Sequence, residues 1–272
     1  MNPFDGSTAI ITGGASGIGK ALGEELAGRG ARVILADINA SLLEETVGSL
    51  TARGLMVEGA ELDVTDFEAV RELVEGKASE HGRLDYMFNN AGIAIAGEAH
   101  DFSIADWRRV IDTNLYGVIH GVASAYPLMV RQGGGHIVNT ASMAGIVPAV
   151  GLISYTASKY GVVGLSNALR TEGSHYGVKV SVVCPGFIRT PIYETIELLK
   201  VDRDKLMKLA PEGMPCDDCA RIILRGVERN KAIITVTAMA KAFWAMQRLS
   251  PALVRALFGL GLARPMRKAR TA

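Results

Sequence analysis

Short apolar runs recur along the chain, and each closes on a polar or glycine-rich stretch. The runs at 7–11, 31–36, 56–62, 84–88, 135–140, 178–183 and 231–236 have the length and β-branched content of buried strands. Between them, apolar residues return at helical spacing over 17–30, 66–81, 103–131 and 155–176. Strands that alternate with helices imply right-handed crossovers and an α/β class, a doubly wound parallel sheet. No repeat, low-complexity stretch or linker divides the pattern. One domain over 1–236 is therefore expected, followed by a helical extension over 237–272.

Composition adds limits rather than detail. Apolar residues make up 49% of the 272 positions and aromatics 6%, with 31 glycines, which suits helices packed closely on a sheet. Three cysteines argue for a reducing compartment, and the first residues carry neither a basic region nor an apolar segment, so the expected location is cytoplasmic. Nine of the 29 Lys and Arg residues, and none of the 28 Asp and Glu, fall from Arg229 onward. That leaves 20 basic against 28 acidic residues before it, a poor match to nucleic acid.

The first run leads into Thr12-Gly13-Gly14-Ala15-Ser16-Gly17-Ile18-Gly19. A glycine turn between a buried strand and a helix can present backbone N–H groups to a pyrophosphate. Asp37 ends the next strand, near the ~20-residue offset at which a carboxylate meets an adenosine ribose. Alone, it reads equally as a strand-end or capping residue. A carboxylate there accepts from ribose hydroxyls and repels a 2′-phosphate, and no Lys or Arg lies within the turn to offset it. NAD is favoured over NADP. Asp63 and Val64 are placed to meet the adenine, although Asp63 serves as well for a cap on the helix that starts near 65–66.

Tyr155 and Lys159 stand four apart in a helical segment and so share a face. A phenol is a poor base at neutral pH, since its reference pKa is about 10, and a neighbouring ammonium favours its ionised form. Such a phenol can take the proton of an alcohol or return it to a ketone. Ser142, two residues past a strand, can orient the substrate oxygen, and Asn114 can hold a water that links Lys159 to solvent. Singly, each of these residues has an ordinary structural use.

Taken together, the turn, Asp37, Asp63-Val64, Asn89-Asn90-Ala91-Gly92, Asn114, Ser142, Tyr155-x3-Lys159 and Pro185-Gly186 resemble the short-chain dehydrogenase/reductase family from about residue 5 to 236. The resemblance implies a Rossmann-type fold and a catalytic tetrad of Asn114, Ser142, Tyr155 and Lys159. It also implies cofactor contacts from Gly13, Ser16, Gly17, Ile18, Gly19, Asp37, Asp63 and Val64. Asn90 and Gly92 would lie along the adenosine side, Lys159 on the nicotinamide ribose, and Pro185, Gly186, Ile188 and Thr190 at the nicotinamide. Asn89 would tie neighbouring strands. The family further implies a dimer or tetramer formed through the helices at 103–131 and 155–176, and a mobile lid after Pro185-Gly186.

The expected lid runs as a helix to about Leu209. Its Ile192, Tyr193, Ile196, Leu199 and Met207, with Ala94, Ile95, Ile146 and Val147, could wall an apolar pocket or simply pack lid to body. Few ionic groups stand near the tetrad, which leans towards a lipophilic secondary alcohol or ketone. A 3-oxoacyl thioester reductase and a non-catalytic dinucleotide sensor are the alternatives. In the tail, Met239, Phe243, Met246, Leu253, Leu257 and Leu260 form one helical stripe, opposite Lys241, Arg248 and Arg255, with a break expected at Pro251. This stripe fits an anionic membrane surface, a partner subunit, its own subunit or the substrate mouth. Arg264, Arg267, Lys268 and Arg270 are expected to be mobile. Cys216-x2-Cys219 lacks a second ligand pair and reads as structural, and no metal is expected.

Overall fold

The computed structural model describes residues 2–208, 211–261 and 269–271. Its strands are β1 (Thr8–Thr12), β2 (Arg32–Asp37), β3 (Val57–Glu61), β4 (Tyr86–Asn89), β5 (Ile95–Ala96), β6 (Gly135–Thr140), β7 (Val178–Cys184), β8 (Glu197–Leu198) and β9 (Ile233–Thr235). Seven of them form one sheet in the order β3-β2-β1-β4-β6-β7-β9, and every pairing is parallel. β5 and β8 form a separate parallel pair.

Successive strand residues point to opposite faces, so each strand feeds two helical layers. On one face Ile11, Leu35 and Val183 pack with α1 (Gly17–Ala27), α2 (Ala40–Thr51) and α9 (Cys216–Glu228) through Leu22, Leu43 and Ile223. On the other, Ile10, Ile34 and Ile137 pack with α3 (Phe67–His81) and α5 (Gly117–Arg131) through Val74 and Met129. α6 (Ile153–Gly173) lies beside α5's layer, against β7. The order reverses between β1 and β4, which opens a crevice at the carboxyl ends of the strands. The expected Rossmann-type sheet is present, in a single domain.

Three local differences from the sequence reading bear on function. The expected helix over 103–131 is α4 (Ile104–Ile111), a π turn at Asp112–Tyr116, then α5. The expected lid helix is broken into α7 (Ile192–Thr195), β8 and α8 (Arg203–Met207), because Glu197 and Leu198 pair with Ile95 and Ala96. Leu209 and the side chain of Met207 lie outside the described residues. In the tail, α10 (Ala238–Leu249) and α11 (Pro251–Gly261) do part at Pro251, but Ser250 is extended there and the stripe does not continue. Among the described side chains of α11 Val254 is the buried one, while Leu253 and Leu257 stay 49% and 45% exposed. The side chain of Leu260, with Arg264, Arg267 and Lys268, falls outside the described residues.

Cys219 sits in the core, and Cys216 donates its thiol to the Arg189 carbonyl at 3.0 Å, so both cysteines serve packing. Among the described residues no helix is long and apolar enough to cross a membrane.

His136 gives the fold an acid sensitivity. It is buried between β4 and β7 with Nε2 2.9 Å from Ser181 Oγ, and burial, followed by Lys179 and Arg170, lowers its pKa to about 3. The unfolded chain binds this proton below its ordinary value near 6.5, so folding stability falls as pH drops from there towards 3. By pH 5 the loss is about 2 kcal/mol. Thermal melts of His136→Gln should show a shallower decline over this range than the parent; parallel curves would exclude the histidine as its source.

Candidate active site

The crevice begins at the glycine turn. Gly13 and Gly17 take φ of 64° and 55°, a left-handed backbone that bends β1 into α1. A Cβ at Gly19 would collide with the Gly13 carbonyl, so the turn closes only around glycine. The start of α1 is unlike its neighbours. Asn39, Asp66 and Ser103 cap α2, α3 and α4 by accepting from Leu42, Ala69 and Asp106, whereas Ser16 makes no side-chain cap and α1 has no acid in its first turn. Its first N–H groups thus face the crevice without a side-chain acceptor, the arrangement that suits a pyrophosphate. Ile18 packs against the core beneath it.

Neighbouring residues hold this turn in place. Thr12 Oγ1 accepts from Asn90 N at 2.9 Å and Ala91 N at 3.1 Å, and Asn90 Nδ2 donates to the Thr12 and Gly13 carbonyls. Thr46 donates to the Ala15 carbonyl at 2.9 Å. Asp37 accepts from Ala15 N through Oδ2 and from Asn39 N through Oδ1, each at 3.0 Å. The cap of α2 is Asn39, so Asp37 is free of the capping duty weighed against it. Asp63 makes its own turn by accepting from Thr65 N and Oγ1, and Asp66 caps the next helix. Val64 is buried against Gly117. Asn89 Nδ2 donates to Asn139 Oδ1 at 2.8 Å, joining β4 to β6 as expected.

The four proposed catalytic residues converge at the ends of β4, β6 and β7. Lys159, 3% exposed, donates from Nζ to the Thr140 carbonyl at 2.9 Å, and the same nitrogen lies 5.5 Å from the centre of the Tyr155 ring. Asn114 is fully buried at the π turn. Its Oδ1 accepts from Ile93 N at 2.8 Å and its Nδ2 donates to the Ile93 carbonyl at 2.9 Å and to Ser158 Oγ at 3.2 Å. This side chain clamps the β4–β5 loop to α6. A π turn of this kind re-aims one residue inward.

Gly92 was expected along the adenosine side. A Cβ on it would lie 3.1 Å from Asn114 Oδ1 and 3.4 Å from Lys159 Nζ, which places it beside the tetrad. Met143 N donates to the Pro185 carbonyl at 2.7 Å and fixes the Ser142 loop against the start of the lid. Gly186 passes close to Thr237, Ile188 bridges Met214, and the Thr190 methyl approaches the Gly17 backbone.

In the electrostatics of the site, Ser142 acts on the phenol beside the expected ammonium. Burial raises the Tyr155 pKa, and a side-chain hydrogen bond with Ser142 is what works against it. Burial lowers Lys159 to about 8, with Cys184 opposing. Tyr193, from the lid, is pushed up to about 12 by burial and by the nearby Tyr155. Tyr193 thus brings the lid near the Tyr155 phenol.

The short chain dehydrogenase family profile matches residues 7–198. The chain belongs to this family. It is an oxidoreductase of a family that works with NAD or NADP on small molecules. It is 37% identical over 235 residues to a cyclohexanol dehydrogenase from Acinetobacter sp., covering 86% of this chain and 92% of the relative. It is also 37% identical over 229 residues to (2S)-[(R)-hydroxy(phenyl)methyl]succinyl-CoA dehydrogenase subunit BbsD from Thauera aromatica, covering 84% and 91%. A short-chain dehydrogenase/reductase from Burkholderia phymatum solved in complex with NAD superposes with a TM-score of 0.84, at 30% identity over 93% of this chain and 96% of that one.

Sequence reasoning overlooked several residues that act through the others. Thr12 pins the β4 loop, and Ser158 donates to the Tyr155 carbonyl at 2.7 Å while accepting from Asn114. The position of Ser158, three residues after Tyr155 on the same helix face, was the available signal. Elsewhere, Glu58, Glu80 and His81 bring ligand-type atoms within 4.8 Å of one another. Lys77 donates to both carboxylates and Arg32 approaches His81 Nδ1 at 3.2 Å, so this is an ion-pair network.

Proposed function

We propose that this short-chain dehydrogenase interconverts a lipophilic secondary alcohol and its ketone with NAD, using Tyr155 as general acid/base. The observation that carries the reading is the convergence of Tyr155, Ser142 and the buried Lys159 ammonium beside Gly92, at the end of a crevice that starts with an uncapped helix. Bound NAD would supply the acceptor for the hydride of the alcohol carbon. The turn from Gly13 to Gly19 would hold its pyrophosphate, and Asp37 its adenosine ribose. Asp63, Val64, Asn90, Gly92, Pro185, Gly186, Ile188 and Thr190 complete the proposed groove.

Tyr155 takes the hydroxyl proton, and Ser142 fixes the oxygen from which it comes. Lys159, with a pKa of about 8, can give or accept a proton near neutral pH and so connect the phenol to solvent. Tyr193 and the lid exclude water during transfer.

The lipophilic substrate class draws on the names of the two dehydrogenase relatives and on the apolar surroundings of the Ser142 loop, where Met143 and Val147 meet Phe243, Met246 and Val254. Ile95 and Ile196 are buried by lid-to-body packing instead. The name of the Thauera relative supports a second reading at the same site, in which the alcohol is carried on an acyl thioester. NAD reduction measured with cyclohexanol, 1-phenylethanol and a 3-hydroxyacyl-CoA separates the two. Turnover of the carbocyclic or benzylic alcohols supports the first, and turnover of the thioester alone supports the second. Saturable NAD binding with no turnover across a wide alcohol panel would favour the sensor.

A homo-oligomer, dimer or tetramer, is also proposed. Ile104, Tyr116, Ile153 and Tyr160 expose between 39% and 69% of their surfaces along α4, the π turn and α6. Light scattering that gives a monomer mass would remove this proposal. Peripheral membrane contact rests on exposed Leu249, Leu253 and Leu257 with Lys241, Arg248 and Arg255. Liposome sedimentation with and without residues beyond 236 tests it.

A further inference from the structure

Between β7 and α9 the chain leaves the sheet and returns, closing its neck by Arg189 N to Met214 O and Met214 N to Phe187 O, each at 2.9 Å. This excursion is the flap that carries Tyr193, stacked on Phe187 and close enough to Tyr155 to feel its charge. Short helices and a two-residue strand give it little packing of its own, and its position depends on tethers. One tether is β8 on β5, with Arg109 on Glu197 at 2.8 Å.

The second tether comes from the far end of the tail. Val201 of the flap bridges Arg270 in antiparallel fashion, flanked by Asp202 N to Ala269 O at 2.9 Å and Thr271 N to Lys200 O at 3.0 Å. The Arg270 guanidinium then reaches the loop that follows β5. Nη1 donates to Glu98 Oε2 at 2.7 Å and meets His100 Nε2 at 2.8 Å, and Nη2 donates to Asp101 Oδ1 at 3.1 Å. Asp101 is nearly closed off, with its side chain 4% exposed, and its other nearby full charge is Lys200 of the flap at 3.3 Å. Lys200 itself holds a left-handed φ of 51°, a conformation that a non-glycine residue keeps only when its surroundings impose it. The segment expected to be free is thus fastened at both its main chain and its guanidinium.

We propose that Arg270 is a positioning residue for substrate binding: it latches the flap shut by joining it to the Glu98–Asp101 loop. The backbone of 269–271 grips the flap, and the guanidinium grips the body. Because Asp101 is buried, losing Arg270 leaves a carboxylate short of a partner, which favours flap opening over a rearranged closed state. The dinucleotide turn meets only the start of the flap, at Thr190 and Pro191 beside Gly17, and shares none of the latch contacts. The consequence for substrate rests on the dehydrogenase reading, whereas the latch itself does not.

The test uses the full-length chain and its Arg270→Ala, Arg270→Lys and Arg255→Ala variants. Brief trypsin exposure followed by mass spectrometry reads cleavage at Arg203 and Lys205 of the flap. Arg270→Ala should speed that cleavage ~10-fold, the order expected for losing charged hydrogen bonds. Arg270→Lys should recover part of the protection, and Arg255→Ala, in the tail but outside the latch, should match the parent. Melting temperature should stay at the parent value. With any alcohol that turns over, Arg270→Ala should raise KM and leave kcat intact or higher. Equal flap cleavage in Arg270→Ala and parent would overturn the latch, and so would a fall in melting temperature that accounts for the faster cleavage. The proteolysis arm needs no substrate, so an absence of alcohol turnover would count against the catalytic reading and leave the latch standing.

Discussion

Tyr155→Phe should lower turnover ~10³-fold, the usual worth of a positioned acid/base, with NAD affinity unchanged. The phenylalanine keeps the ring under Lys159 Nζ and removes only the oxygen that meets Ser142. The loss should therefore fall on kcat, with substrate KM little altered. Stopped-flow or steady-state absorbance of the reduced nucleotide measures it. Retention of parental kcat would defeat the assignment of Tyr155. Since burial holds the phenol's pKa up in the protein itself, alcohol oxidation should accelerate as pH rises and ketone reduction should not.

Asp37→Asn should weaken NAD relative to NADP by about tenfold or more. Asparagine keeps an acceptor oxygen for the Ala15 N–H, the contact by which Asp37 holds the glycine turn, and gives up only the one from Asn39 N. Titration of both nucleotides against parent and variant measures the ratio. If the parent already binds NADP more tightly, the coenzyme assignment is wrong; if the ratio does not move, Asp37 serves the turn and not the ribose.

Much of the fold was legible because its signals are local. Most of the seven strands of the main sheet are short apolar runs bounded by glycine or polar residues, and their alternation with helical segments is a local signal. Tyr155 and Lys159 needed only the helical repeat to be placed on one face, and Ser158 was missed although the same repeat reaches it. The missed features depend on residues far apart in the chain. β5 and β8 are two residues each, too short for any periodicity, and exist only because each is the other's partner. The duty of Asn114 could not be read because its clamp on Ile93 arises from a π turn, which shifts the register that a helical repeat would predict. Val254 displaced Leu253 and Leu257 as the inward residue of α11 because the chain direction resets at Ser250-Pro251. Arg270 looked free because its acidic partners stand about 170 positions earlier, at Glu98 and Asp101.

That separation has a bearing on biosynthesis. Residues 269–271 leave the ribosome after every group they touch, and α10 and α11 follow the Ser142 loop against which they pack. A nascent chain can thus shape its nucleotide groove while the alcohol side still lacks its outer wall and its fastener. Premature stops or trimming within the last helices would then yield a protein that keeps its nucleotide groove and holds substrate poorly. Quality control by nucleotide affinity alone would not recognise such a product as defective.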